Sequence, residues 1–250
     1  MVRTLRAAGC VFAEDEADLL IAAARDDAEL THMVEQRVAG LPIEHIVGYA
    51  DFCGLRILLD PGVFVPRRRT EHLVAEALLL TRPGSIVVDL CCGSGALGVA
   101  VHAGRPDITL YAADLDPIAV ACARRNVEPI GGQVTQGNLY AALPPALRGH
   151  IDVLLSNVPY VPTDEIAFLP AEARLHEPHT TLDGGTDGLT ILREVAAEAS
   201  HWLAPGGSML TETTEAQAPV AAAILTEAGL TPRITTSEEL YATTVIGTKE

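Results

Sequence analysis

The sequence predicts a doubly wound α/β protein with seven strands and helices on both faces of the sheet. From Ser85 onward, short apolar runs alternate with segments whose apolar residues recur at helical spacing. The runs are almost uniformly apolar, which is typical of parallel strands buried on both faces. A chain of 250 residues accommodates one large domain, alone or with a small appendage.

The strands are predicted at Ile86–Leu90, Ile108–Ala113, Gln133–Gln136, Ile151–Leu155, Ser208–Thr213, Arg233–Thr235 and Ala242–Gly247. The helices between them are predicted at Ala96–His102, Pro117–Asn126, Leu189–Trp202 and Glu215–Ala228. Asp116 precedes Pro117 and is the expected N-cap of its helix. The segment Val161–Gly188 is too long for a plain connection, which indicates a substrate loop.

The first third of the chain is predicted to form two smaller units. Residues 1–48 form a helical cap, with helices at Glu14–Arg25 and Ala28–Ala39. Residues 49–62 form a β-hairpin linker, and residues 63–250 form the main domain, which begins with a helix at Glu71–Leu80. Thr70 is the expected N-cap of that helix.

The charge balance is strongly acidic. The chain has 17 Lys and Arg against 33 Asp and Glu, a net charge of −16. Binding to a nucleic-acid backbone requires clustered cations, so this composition argues against a nucleic-acid partner.

The cysteines and the hydropathy pattern predict a cytoplasmic protein without a metal site. Five scattered cysteines show no CxxC spacing, as expected of reduced thiols. No apolar run approaches the roughly 20 residues of a membrane-spanning helix. The apolar stretch Ala7–Ala13, which follows Arg3 and Arg6, ends directly at Glu14-Asp15-Glu16, and this argues against a signal peptide.

A glycine-rich loop follows the first strand of the main domain. Gly93, Gly95 and Gly98 have the spacing that lets a backbone approach a nucleoside ligand, and Asp114 follows at the distance of a ribose-binding acid. Alone, this pattern also permits a dinucleotide cofactor. Asp89 argues against one, because its carboxylate would face a doubly negative pyrophosphate.

S-adenosylmethionine suits these residues better. It has no phosphate, and its ammonium group can pair with Asp89. Asp114 is expected to accept hydrogen bonds from the ribose, and Asn138, at the end of the third strand, from the adenine edge.

A second motif, Asn157-Val158-Pro159-Tyr160, ends the fourth strand. Pro159 cannot continue the strand, so Asn157 is held at its carboxyl end, where open α/β sheets bind ligands. The Asn157 side chain and the Val158 carbonyl offer two hydrogen-bond acceptors, which suit a planar –NH2 group. Tyr160 adds an aromatic wall. A simple strand-to-loop turn is the alternative for this tetrapeptide alone.

In this order, the motifs resemble those of class I S-adenosylmethionine-dependent methyltransferases. The chain is most similar to the protein-(glutamine-N5) methyltransferases, which act on release factors and on a ribosomal protein. Beyond the two motifs, the resemblance rests on Leu41–Gly48 with Asp51-Phe52, Pro61–Arg67 with Thr70-Glu71, Glu177-Pro178, and Gly184–Leu189. It implies a Rossmann-like seven-stranded sheet and methyl transfer to a glutamine of a protein or peptide.

The resemblance also assigns roles to individual residues. It implies a catalytic motif of Asn157, Val158, Pro159 and Tyr160, and no metal. Cofactor contacts are expected from Phe64, Arg67, Asp89, Cys91, Gly93, Gly95, Asp114, Leu115, Asn138 and Asn157. Substrate-loop contacts are expected from Glu177, Gly185 and Asp187. For Arg67, a pair with the cofactor carboxylate and a surface position are equally compatible with the sequence.

Some features depart from the family pattern. Val158 replaces a proline, Asn138 replaces an acid, and Arg68-Arg69 stand where the family tends to have Pro-Glu. The helical N-terminal region has about half the length expected from the resemblance. A small-molecule amide, amine or guanidine N-methyltransferase therefore remains an alternative. An adenine-N6 DNA methyltransferase is a third, which the acidic charge disfavours.

Overall fold

The computed structural model describes residues 1–250. The strands are β1 (Tyr49–Phe52), β2 (Leu55–Leu58), β3 (Ile86–Leu90), β4 (Thr109–Asp114), β5 (Gln133–Gln136), β6 (Ile151–Ser156), β7 (Leu203–Thr213), β8 (Thr231–Ser237) and β9 (Ala242–Thr248). The helices are α1 (Val2–Ala7), α2 (Ala13–Ala23), α3 (Asp27–Val38), α4 (Ile43–Val47), α5 (Glu71–Leu80), α6 (Ala96–Gly104), α7 (Pro117–Val127), α8 (Ala171–His176), α9 (Thr190–Trp202) and α10 (Ala218–Glu227).

The central sheet has seven strands in the order β5-β4-β3-β6-β7-β9-β8. Strands β3 to β7 run parallel, whereas β9 is antiparallel to both β7 and β8. The chain moves outward from β3 to β5 on one side and then returns to β6 on the other. The carboxyl ends of β3 and β6 therefore flank a topological switch point, where open α/β sheets bind ligands.

Two hydrophobic cores cover the two faces of this sheet. Alternation along β3 directs Val88 into one core and Val87 into the other. The first core is completed by α9 and α10, and the second by α5, α6 and α7. The predicted doubly wound α/β fold is therefore confirmed.

Helices α1 to α4 share a small core of their own, which includes Leu5, Leu20 and Met33. The half-buried Arg37 of α3 joins this core to the long loop, because it donates to Glu16 of α2 at 2.6 Å and to Glu172 of α8 at 3.1 Å. The sequence prediction missed α1 and α4, whose six and five residues are too short to show a helical period.

Three predicted details need correction. Helix α5 begins at Glu71 as expected, but Thr70 closes a 3-10 turn and its side chain caps nothing. Glu71 instead accepts the backbone N–H of Cys53 at 3.0 Å, which fixes the hairpin on the helix. The segment Val161–Gly188 also contains regular structure, namely α8 and two 3-10 turns. Strand β7 begins five residues earlier than expected, at Leu203.

No helix combines the length and the apolar character needed to cross a membrane.

Candidate active site

A cavity of about 730 Å³ opens at the carboxyl ends of β3, β4 and β6. Its walls bring together most of the residues singled out in the sequence: Phe64, Arg67, Asp89, Cys91, Gly93, Asp114, Leu115, Asn138, Asn157, Val158, Pro159 and Tyr160. Gly95, Glu177, Gly185 and Asp187 lie outside it. We call the part near Gly93 and Asp114, where the sequence analysis expects the cofactor, the cofactor end. The part near Asn157 and Tyr160, where it expects the methyl acceptor, is called the acceptor end.

The glycines of the loop after β3 serve different purposes. Gly93 has a φ of 55°, and a Cβ there would meet no atom within 4 Å, so its backbone faces open space. A Cβ on Gly95 would lie 2.7 Å from Cγ2 of Val127, so this glycine lets α6 pack on α7. Cys91 also has a positive φ, of 58°, which strains a residue with a side chain. The loop is thus held in a tight conformation that exposes backbone groups to the cavity.

Asp89 is almost fully buried beneath this loop. Its Oδ2 accepts the backbone N–H of Gly98 at 2.9 Å. Burial raises the pKa of Asp89 to about 7, and the nearby Asp114 carboxylate acts in the same direction. The ionised form of Asp89 is therefore less favourable than that of an exposed carboxyl, and a cation that reached it from the cavity would stabilise it.

Asp114 ends β4 and holds the opposite side of the loop. Its Oδ2 accepts the N–H of Gly93 at 2.8 Å, and its Oδ1 accepts that of Asp116 at 3.0 Å. Each oxygen retains a lone pair for a ligand hydroxyl. Asp116 caps α7 through the N–H of Ile118 at 2.8 Å, as predicted. Asn138, after β5, is exposed and its side chain makes no hydrogen bond within the chain.

At the acceptor end, Asn157 follows β6 directly. Its Oδ1 is buried, yet it accepts no hydrogen bond from the chain. The neighbouring Val158 carbonyl also has no donor among the hydrogen bonds of the chain. The Val158 side chain is buried in the first core, which also contains Leu189. Two adjacent residues therefore each keep a free acceptor, on a turn whose Val158 is anchored in the core.

Tyr160 is fixed by a carboxylate that the sequence analysis did not single out. Its hydroxyl donates to Glu212 Oε1 at 2.6 Å, and Arg69 Nε donates to the same oxygen at 2.9 Å. Burial raises the pKa of Tyr160, and the Glu212 charge raises it further, so the phenol stays neutral and donates. Glu212 lies near the end of β7 without a recognisable motif around it, so no sequence signal pointed to it.

The segment Gly184–Leu189, which we call the late loop, packs against the backbone of the Asn157–Tyr160 turn. A Cβ on Gly184 would lie 2.7 Å from the Pro159 carbonyl oxygen, and one on Gly188 would lie closer still to the Tyr160 carbonyl oxygen. Gln217, at the start of α10, donates its amide to the carbonyls of Tyr160 at 2.9 Å and Asp187 at 3.0 Å. Gln217 carries no sequence signal either, because it is a lone polar residue before a helix.

The residues expected in the substrate loop have mostly local partners. The Gly185 N–H donates to Asp183 at 2.9 Å. Asp187 lies at the surface, where it accepts the N–H of Leu189 at 3.1 Å and pairs with Arg193. These bonds, chiefly that from Arg193, lower the pKa of Asp187 to about 2.

Glu177 and Arg67 form a partly buried ion pair beside the cavity. Arg67 Nη2 donates to Glu177 Oε1 at 2.5 Å, and the guanidinium lies 5.1 Å from the Phe64 ring centroid. Burial raises the pKa of Glu177, although Arg67 opposes this shift. Arg67 therefore pairs with Glu177. The sequence analysis considered a pair with the cofactor carboxylate and a free surface position, but not a partner within the chain.

Comparison with known proteins identifies the family. A family model described as methyltransferase small domain matches residues 54–185. A release factor glutamine methyltransferase of Gloeobacter violaceus is 38% identical over 74% of this chain and 66% of its own length. One from Geobacter sulfurreducens is 33% identical over 86% of this chain and 75% of its own. A 4-amino-L-phenylalanine/4-methylamino-L-phenylalanine methyltransferase of Streptomyces pristinaespiralis is 35% identical over 84% of this chain and 73% of its own.

Solved structures support the fold. A methyltransferase from Pyrococcus furiosus aligns with a TM-score of 0.59 and 18% identity over 78% of this chain and 89% of its own. A ribosomal protein L11 methylase from Lactobacillus delbrueckii aligns with a TM-score of 0.54 and 17% identity over 78% of this chain and 84% of its own.

The cofactor end also fits the group that this family uses. The open backbone at Gly93, the buried Asp89 without a cation and the lone pairs of Asp114 match a nucleoside that carries an ammonium group and no phosphate. The chain belongs to the methyltransferase small domain family and is an S-adenosyl-L-methionine-dependent methyltransferase.

Proposed function

We propose that this enzyme methylates the side-chain amide nitrogen, N5, of a glutamine in a protein or peptide. The observation that carries the proposal is the pair of free acceptors at Asn157 Oδ1 and the Val158 carbonyl. An –NH2 group can donate one hydrogen to each, whereas a hydroxyl can satisfy only one. The names of the release factor glutamine methyltransferases among its relatives support a protein substrate.

The cofactor end would hold S-adenosyl-L-methionine through a few polar residues. When bound, this cofactor supplies an electrophilic methyl group on a sulfonium. In our proposal Asp89 pairs with its ammonium, Asp114 accepts from its ribose, and Asn138 meets its adenine. The walls around it are Phe64, Arg67, Cys91, Gly93 and Leu115. Gly95 contributes indirectly, through the packing of α6 on α7.

An amide nitrogen is a weak nucleophile, because its lone pair is delocalised into the carbonyl. In our proposal the acceptor residues compensate for this in two ways. Asn157 and the Val158 carbonyl orient the –NH2 group toward the methyl donor. They also stabilise the positive charge that develops on this nitrogen in the transition state. Pro159 keeps the turn rigid, and the anchored Tyr160 ring forms the wall. No strong base is needed before the transfer.

The domain organisation and location form part of the same proposal. We assign residues 1–48 to a helical cap, 49–62 to a hairpin linker and 63–250 to the methyltransferase domain. The separate core of α1 to α4 supports this division. The five free cysteines support a reducing, cytoplasmic location. The net charge of −16 argues against a nucleic-acid substrate.

One relative favours a second candidate, methylation of a small-molecule amine, because it is named for an amino-phenylalanine substrate. A single labelling experiment separates the two. The enzyme is incubated with methyl-labelled cofactor and a cell extract, and the labelled products are separated by size and sequenced by mass spectrometry. We expect the label on a glutamine amide in the protein fraction. Label only on small amines would favour the second candidate, and label on a hydroxyl, carboxylate or carbon would reject amide chemistry.

A further inference from the structure

We propose that an acidic groove beside the acceptor end binds a positively charged stretch of the substrate that flanks the methylated residue. This inference rests on the proposed function and extends it to the kind of sequence that the enzyme selects. The groove lies between the segment that follows Tyr160 and the β8–β9 hairpin. We define it by Glu165, Glu212, Glu215, Glu238 and Glu239.

The groove is continuous with the catalytic cavity. Arg69, Tyr160, Val161 and Leu169 line both. A chain whose glutamine reaches Asn157 would therefore place its neighbouring residues in the groove. Free amino acids are too short to use this surface, so its occupant belongs to a peptide or protein substrate.

The charge of the groove selects cations. Five glutamates line it against a single arginine, Arg69, which Glu212 already neutralises. Just outside this lining, Arg68 approaches Glu239 only to 4.0 Å, with both side chains largely exposed. Carboxylates that line one concave surface reinforce each other's field. Phosphate-bearing partners are repelled by it, and segments rich in lysine or arginine are attracted.

Glu212 supplies an observation that is independent of the overall charge. It is only 3% exposed, and its Oε2 is buried without any hydrogen-bond partner, whereas Oε1 accepts from both Tyr160 and Arg69. An unpaired buried carboxylate oxygen is unfavourable, because it has lost water and gained no donor. A cationic donor from the substrate would supply the missing bond.

Two aromatic side chains stand on the walls of the groove. Phe168 is 86% exposed and Tyr241 is 92% exposed, in a chain with only 4% aromatic residues. Exposed aromatics beside a groove are typical anchors for a bound peptide. Their faces also attract the cationic heads of lysine and arginine. The aromatic and acidic features therefore point to the same occupant.

The test compares two peptides that share a central glutamine. One carries lysine and arginine on both sides of it, and the other carries serine and asparagine. Binding is measured by calorimetry with S-adenosylhomocysteine present, and turnover is measured separately. We expect the basic peptide to bind at least tenfold more tightly at low ionic strength, and the difference to shrink as salt is added.

A variant with fewer charges tests whether the groove glutamates cause the tighter binding of the basic peptide. The triple variant Glu165→Gln, Glu238→Gln and Glu239→Gln should weaken binding of the basic peptide about tenfold and leave the neutral peptide unaffected. A matched variant removes the same charge elsewhere, at the exposed Glu35, Glu128 and Glu198. It should behave like the unmodified enzyme.

The outcomes separate this inference from the proposed function. Equal binding of the two peptides, or equal losses in the two triple variants, would overturn the groove even if glutamine is methylated. Selective binding of the basic peptide without methylation of its glutamine would support the groove and reject the proposed acceptor. Absence of binding by either peptide would overturn the groove.

Discussion

The two ends of the catalytic cavity differ in how their polar groups are satisfied. At the cofactor end, Asp89 and Asp114 both accept backbone N–H groups of the glycine loop and its helix. At the acceptor end, Asn157 and Glu212 each leave one buried oxygen without a partner. Four other side chains have a buried oxygen without a hydrogen-bond partner: Thr70, Ser156, Glu177 and Thr244. None of the buried side-chain atoms of the glycine loop, or at the ends of β4 and β5, lacks a partner.

This difference shows which part of the site is held in place by the chain itself. The cofactor end is organised by the chain's own backbone, as expected for a ligand shared by a whole family. The acceptor end holds unsatisfied oxygens, which in our proposal accept hydrogen bonds from the N–H groups of the substrate. A ligand without hydrogen-bond donors would leave these oxygens buried and unpaired, so we expect this end to discriminate between substrates.

The sharpest test of the comparison is Asn157→Ala. Loss of one positioned acceptor should lower kcat on the order of 10²–10³, by analogy with a lost oxyanion-hole donor. Affinity for S-adenosylhomocysteine should stay nearly unchanged, because the lost oxygen faces the other end. The matched change is Asn138→Ala, which should weaken cofactor binding several-fold with little effect on kcat. Near-normal turnover in Asn157→Ala would show that the motif is only a turn.

The cofactor end should respond to pH through Asp89. Because its pKa is raised to about 7, the carboxyl is about one-tenth ionised at pH 6 and about nine-tenths at pH 8. If the ionised form binds the ammonium, affinity for S-adenosylhomocysteine should rise about tenfold between these values. Asp89→Asn should bind weakly with little pH dependence. The neighbouring Cys91 thiol, whose pKa burial raises to about 12, stays protonated throughout this range.

The same shift predicts the stability of the ligand-free enzyme. A carboxyl whose pKa is higher in the folded state stabilises the fold at low pH, and this contribution is lost as the pH rises through about 7. Relative to Asp89→Asn, the wild type should therefore lose stability between about pH 4 and pH 7 in denaturant unfolding. A rise over that range would mean that Asp89 is already ionised and paired without the cofactor.

The smallest expected effect comes from Gln217, which holds the Asn157–Tyr160 turn in place through a hydrogen bond. Gln217→Met removes the amide that donates to the Tyr160 and Asp187 carbonyls. The variant also loses the hydrogen bonds that the amide oxygen accepts from Thr213 and Thr214. Each bond contributes about 1 kcal/mol to stability, and we expect the part of this loss that reaches the transition state to lower kcat about three- to tenfold, with cofactor affinity intact. Thr214→Ala is the control, since its hydroxyl donates to the other end of the same amide at 2.9 Å. Equal losses in both variants would indicate a general loosening of α10.

Sequence patterns predicted the elements that depend on local chemistry. The apolar run Ile86–Leu90 forms β3 with unchanged bounds, because a strand buried on both faces needs an uninterrupted run. Asp116 caps α7 because the signal, an Asx residue before proline, is contained in adjacent residues. The residues around Gly93 and Asn157 meet in one cavity because parallel strands bring their carboxyl ends together.

Features that depend on distant packing could not be predicted in this way. Thr70 has the residue type of an N-cap, but a preceding 3-10 turn removes its capping geometry. Glu212 acts on Tyr160 across 52 residues, and Gln217 acts across 57. Their roles follow from strand order and helix placement, which single residues do not encode. The acceptor end is therefore the part of the site for which the structure adds most.

The backbone of Val161 closes the neck of the long loop. Its N–H donates to the Leu182 carbonyl at 3.3 Å, and its own carbonyl accepts from Gly184 at 2.8 Å. The two ends of the segment formed by residues 162–181 are thus held next to each other. Because closure entropy rises only slowly with loop length, the number of residues in the segment can change with little effect on the neck. The stretch is therefore an insert on a fixed neck, and side-chain pairs also tie it to the molecule, those of Glu172 with Arg37 and of Glu177 with Arg67.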